Sequence, residues 1–108
     1  MTYEAMKANS QQAIIKIATF LGSQYLELVN NAEIFNKIIY RTNFAQMSKN
    51  QSRWSSSRSN QVNRFIRKGK AGDWKSHFYV EHLERVTEKF RLKTAGTDLN
   101  KLWLNIIT

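Results

Sequence analysis

Cysteine and proline are both absent from this chain of 108 residues, and it has only two histidines, His77 and His82. Without cysteine there is no disulfide framework and no thiolate metal site, and the redox compartment is left open. Without proline, no loop relies on a fixed φ. Acidic residues are scarce, 8 against 17 basic ones, for a formal net charge of +9. That excess calls for an anionic partner: nucleic acid, an acidic membrane surface or a phosphorylated small molecule. Long apolar runs are missing too. Lys16 and Gly22 interrupt the best of them, well short of the roughly 18 residues that suggest a membrane span. Met1 to Lys7 carries no apolar stretch of the kind that makes a secretory leader, so a soluble, cytoplasmic protein with no membrane partner is expected.

What remains is a chain 42% hydrophobic and 12% aromatic, too apolar for a disordered tail and long enough for one domain with a modest core. Apolar residues recur at helical spacing in three places. Ile14, Ile17, Ala18 and Leu21 predict a helix over 10–21, capped by Asn9 or Ser10 and stopped at Gly22. Ala32, Phe35, Ile38 and Ile39 predict a second over 31–41, preceded by a turn or short helix at 24–29. Val80, Leu83, Val86 and Phe90 predict a third from Val80 or Glu81 to Thr94, closed by Gly96. A short helix carrying Leu99, Leu102, Trp103 and Ile106 follows, with Asp98 as its cap. Residues 48–63 read as a variable polar loop and 65–78 as an ordered one. Strand patterning is nearly absent; only the residues up to Tyr3 could end a strand. Such helices need a surface to pack on, either each other or a sheet outside this sequence.

Two segments carry chemistry. Arg67-Lys68-Gly69 joins a planar fork of donors, a point charge and a residue that lets the backbone approach a ligand; together they make a phosphate grip, or a solvated basic turn. Phe44, in Thr42-Asn43-Phe44, can stack on a base whose edge polar neighbours read, or can simply staple the loop. The histidines, five positions apart without clustered ligands, suggest no metal site.

The run Arg67-Lys68-Gly69-Lys70-Ala71-Gly72-Asp73-Trp74-Lys75-Ser76-His77-Phe78 resembles the C-terminal signature of the cytosolic sulfotransferases, which use the sulfate donor PAPS (3′-phosphoadenylyl sulfate). That signature is Arg-Lys-Gly, two variable residues, Gly-Asp-Trp-Lys and then Phe. Three further segments match in order. Tyr3-Glu4-Ala5-Met6-Lys7 is similar to the family's Tyr-Glu-Asp-Met-Lys at the end of a strand. Thr42-Asn43-Phe44-Ala45-Gln46-Met47 is similar to Thr-Ser-Phe-x-x-Met, and Thr94-Ala95-Gly96 to Met-Ala-Gly.

The resemblance implies an α/β family fold, a parallel sheet flanked by helices. Of that fold this chain, residues 1–108, would be the C-terminal segment of a single domain, itself mostly α with about three helices and little strand. It implies that Tyr3, Thr42, Phe44 and Met47 meet the adenine of PAPS or its product PAP. Phe65, Ile66, Arg67, Lys68 and Gly69 would hold the 3′-phosphate. It implies a homodimer through 75–84, where Lys75, Val80 and Glu84 match Lys-x-x-x-Thr-Val-x-x-x-Glu and Tyr79 stands in the threonine position. Nothing matches the family's Lys-Ser-Gly-Thr-Thr-Trp loop or its catalytic histidine, so no catalytic residue is assigned. Sulfuryl transfer to a hydroxyl or amine acceptor is expected of the whole enzyme, and no activity of this chain alone. The alternative from another class is a small basic nucleic-acid-binding module using Arg53, Arg58, Arg64 and Arg67, with Phe44 and Trp54 stacking.

Overall fold

Short polar residues set the helix starts in the first part of the chain. In the computed structural model, which describes residues 1–50, 53 and 65–107, Thr2 caps helix α1 (Tyr3–Ala8), its Oγ1 accepting from the Ala5 N–H at 3.2 Å. Asn9 caps α2 (Ser10–Leu21), its Oδ1 accepting from Gln12 at 3.0 Å. Asn31 caps α4 (Ala32–Thr42), accepting from both Glu33 and Ile34 at 3.0 and 3.2 Å. Asn43 caps α5 (Phe44–Lys49), accepting from Gln46 at 2.8 Å. Each side chain satisfies donors that have no partner inside the helix. Between α2 and α4 lies α3 (Ser23–Asn30), entered through Gly22 at φ +132°, a backbone conformation that side chains resist.

These five helices belong to the first of two compact units, Met1–Ala71, and pack in chain order: α1 on α2, α2 on α3, α3 on α4, α4 on α5. Few residues are sealed by this packing. Ala13, Ala18 and Val29 are the buried apolar residues among those described. The stripe expected on α2 is therefore only partly covered: Ala18 is buried and Ile14 half-buried, but Ile17 and Leu21 are exposed. On α4, Phe35, Ile38 and Ile39 are half-buried, while Ala32 is exposed. The periodicity is right; the surface it should cover is not among the described residues. An open apolar groove of about 300 Å³ runs between Ile14, Ile17 and Leu21 on α2, Leu28 on α3, and Ile38 and Thr42 on α4.

The second unit, Gly72–Thr108, holds a 3₁₀ turn (Asp73–Ser76), α6 (Val80–Thr94) and α7 (Leu99–Ile107), with α6 packed on α7. Gly72 enters the turn at φ +80°. Trp74 packs at 5.8 Å from the Phe78 ring, and the Lys75 Nζ lies 5.6 Å over Trp74. The covered face of α6 is Leu83, Thr87, Phe90 and Thr94, not the expected Val80, Leu83, Val86 and Phe90; Val80 and Val86 are 72% and 44% exposed. Spacings of three and four admit both stripes. Asp98, the residue before α7, pairs with Lys101 one turn on, at 3.7 Å.

No strand occurs among the described residues, and the chain is mostly helical as expected. Two short helices go beyond the sequence reading. Tyr3 opens α1 where a strand end was expected, because Thr2 caps a helix there. Phe44 opens α5 because Asn43 restarts the helix that Thr42 ends. The loop expected over 48–63 begins later, since α5 runs through Lys49; 51–52 and 54–63 lie outside the described residues.

Candidate functional site

The site begins at the break between α4 and α5. Thr42 ends α4 with its Oγ1 donating to the Ile38 carbonyl at 2.7 Å. That spends the hydroxyl proton on the helix and leaves the oxygen as an acceptor. Asn43 has an extended backbone at φ −70°, ψ 155°, which turns the chain before α5. Phe44 and Met47, one turn apart on α5, are both half-buried, as is Gln46. Phe44 is thus an aromatic ring neither sealed in a core nor free in solvent.

The basic tripeptide reaches the same ring. Gly69 has φ +62°, and a Cβ added there would fall on the Phe44 side chain, 2.9 Å from Cγ and 3.1 Å from Cε2, with Cδ2 nearer still. Real Cβ contacts are not that close, so the bare glycine backbone is what lets the loop lie against the ring. Arg67 and Lys68 are exposed beside it, Ile66 is half-buried and Phe65 exposed. The arrangement therefore brings the Gly69 backbone against an aromatic ring, with two cations next in the chain. Such a surface suits a ligand with a ring and a phosphate. An aromatic ring and basic side chains are the donor set that the adenine and 3′-phosphate expected here would need. Of the residues expected at the site, Phe44 and Gly69 are brought together. Thr42 and Met47 flank Phe44 in sequence, and Tyr3 opens α1.

Sequence reasoning missed Glu4. Its Oε2 is enclosed without a hydrogen-bond partner among the described residues. It lies next to Tyr3 in the matched segment, and a buried carboxylate oxygen needs a donor to offset its desolvation.

The segment expected to pair two copies lies in the second unit. Lys75 is in the 3₁₀ turn, Tyr79 caps α6, Val80 opens it and Glu84 follows one turn on; all four are exposed. Tyr79 is held by its neighbour His82, whose Nδ1 accepts from the Tyr79 N–H at 3.4 Å while the two rings sit 5.5 Å apart. No group of acidic, histidine or cysteine side chains that could hold a metal occurs among the described residues. Among the same residues, no helix is long and apolar enough to cross a membrane.

Comparison with known proteins decides the family. The sulfotransferase domain model matches residues 1–98. This chain belongs to the sulfotransferase family. It is 36% identical over 103 residues to sulfotransferase 1C2 of Homo sapiens, covering 91% of this chain and 33% of that relative. It is 32% identical over 102 residues to sulfotransferase 1E1 of Bos taurus, covering 90% and 33%. To the amine sulfotransferase of Oryctolagus cuniculus it is 32% identical over 110 residues, covering 95% and 35%. The chain thus spans about a third of the length of these relatives. No solved structure matches it. The nucleic-acid-binding alternative finds no support in these relatives, and its Arg58, Arg64 and Trp54 lie outside the described residues.

Proposed function

We propose that this chain supplies the adenine- and 3′-phosphate-binding segment of a PAPS-dependent sulfotransferase. PAPS, when bound, brings the sulfuryl group that such an enzyme transfers to a hydroxyl or amine acceptor. Phe44 stacks on the adenine, the Thr42 oxygen accepts from the base edge, and Tyr3 and Met47 complete that wall. Arg67 holds the 3′-phosphate with its planar fork, with Lys68 and the Gly69 backbone as further donors and Phe65 and Ile66 beside them. The observation that carries this reading is Gly69, whose bare backbone at φ +62° lies against the Phe44 ring.

The chain is, on this reading, the closing segment of a cytoplasmic enzyme's single domain, with 48–63 its variable loop. Alone it transfers nothing, because charge stabilisation at the transferring group falls to residues outside the matched segments. The exposed stripe of α2, the groove beside it and Glu4 Oε2, enclosed without a partner among the described residues, support this, as surfaces that a larger domain covers. The amine sulfotransferase among its relatives keeps both acceptor classes in view. The exposed Lys75, Tyr79, Val80 and Glu84 make the pairing segment; Val80→Glu should turn dimers into monomers in analytical ultracentrifugation.

The test is a chimera in which these 108 residues replace the matched third of human sulfotransferase 1C2. Calorimetry should show PAP binding to the chimera. Phe44→Ala and Arg67→Gln should each weaken it by about ten-fold or more. The reading fails if the folded chimera binds PAP and neither substitution changes the affinity.

A further inference from the structure

The second unit carries a concave surface that the cofactor reading does not use. It measures about 430 Å³ and is lined by His77, Phe78, His82, Arg85, Val86 and Lys89, within the range of small-molecule sites. We propose that it binds a small aromatic anion, with the ring on Phe78 and Val86 and the negative group at Arg85 and Lys89.

The shape follows from the rotation of α6. Leu83, Thr87 and Phe90 share the half-buried face of α6, and residues 82, 85, 86 and 89 fall on another. Val86 is thereby left uncovered on a face otherwise polar. Phe78 reaches it from the turn before α6, and its ring is fixed by two neighbours, Trp74 at 5.8 Å and His82 edge-on at 6.2 Å. The apolar floor is therefore held in place before any ligand arrives, which lowers the ordering cost of binding.

The polar rim is one-sided. Arg85 and Lys89 are successive turns of one helix face, and neither has an ion-pair partner among the described residues. Among the described residues no carboxylate lines the surface; Glu81, Glu84 and Glu88 of the same helix are not part of it. His82 accepts from the Tyr79 N–H through Nδ1, so the proton of its neutral form sits on Nε2, as a further donor. His77 lies 3.4 Å from Asp73 through Nε2, which anchors the turn. Two exposed cations beside an aromatic floor attract an anion that also has an apolar face. A neutral ring lacks the charge and a bare phosphate lacks the ring.

The composition of the chain gives a clean probe. Both of its histidines line this surface, so every imidazole signal in a proton spectrum reports on it. 1-Naphthyl phosphate titrated into the whole chain should move both signals saturably. 1-Naphthol and inorganic phosphate should each bind about ten-fold more weakly or worse. Arg85→Gln combined with Lys89→Gln should weaken naphthyl phosphate by a similar factor; both side chains are exposed, so far-UV circular dichroism should be unchanged. The proposal is overturned if no saturable shift appears, if inorganic phosphate matches naphthyl phosphate, or if the double variant binds as tightly as the parent.

Discussion

Met1–Ala71 and Gly72–Thr108 hold their helices by different means. The first unit relies on backbone capping: Thr2, Asn9, Asn31 and Asn43 each start a helix with a side-chain oxygen, and among the described residues the sealed core is Ala13, Ala18 and Val29. The second relies on rings and contacts between neighbours. Trp74, Phe78, Tyr79 and His82 form a chain of aromatic contacts before and at the start of α6. The difference teaches where each unit is incomplete. Caps specify helix ends but bury little, so the first unit presents an apolar groove. The aromatic chain is satisfied locally, and what it leaves open is a mixed aromatic and cationic surface.

The sharpest break in this contrast should come at Gly69. Gly69→Val places a branched side chain where the Phe44 ring already lies, and at a φ that β-branched residues resist. PAP binding by the chimera should fall by a hundred-fold or so, about 3 kcal/mol, while Gly96→Ala, where a Cβ meets nothing, should leave it within about two-fold. Next comes the small core. Ala18→Asp buries an unpaired carboxylate in the packing of α2 and should cost about 3 kcal/mol; amide hydrogen exchange should lose protection across α2 and α3 and keep it in α6. Ile17→Asp, on the exposed side of the same helix, should leave exchange in the isolated chain unchanged. It should destabilise the chimera, where the groove is covered.

Smaller effects separate the two ways of starting a helix. Asn31→Ala removes an oxygen that accepts from two backbone N–H groups, and should cost about 1 kcal/mol of local stability in α4. His82→Ala, which loses only a long 3.4 Å hydrogen bond and two ring contacts, should cost less, about 0.5 kcal/mol. Smallest of all, Glu33→Gln removes an exposed pair with Lys37, 2.7 Å long; exchange in α4 should change by about 0.3 kcal/mol and salt should erase the difference.

Much of the local structure was legible from residue order. The helix over 10–21 with its Asn9 cap, the stop at Gly22 and the helix from Val80 to Thr94 all follow from short-range rules, and all occur. Helix α5 was missed although its signal was present, since Asn43 stands three residues before Gln46 as a cap does. The exposure of Ile17, Leu21 and Val86 could not be read. An amphipathic pattern says that a face wants covering, not what covers it.

The sequence by itself determined the helices, the excess of positive charge and the run from Arg67 to Phe78 that marks the family, because each depends on neighbours within a few residues. Only the tertiary structure decided that Gly69 lies on Phe44, that α6 covers Leu83 rather than Val86, and that Phe78, Val86, Arg85 and Lys89 share one surface. Those facts depend on which of several permitted faces finds a partner. Packing settles that choice, since a helix fixes the spacing of its side chains but not its rotation about its own axis.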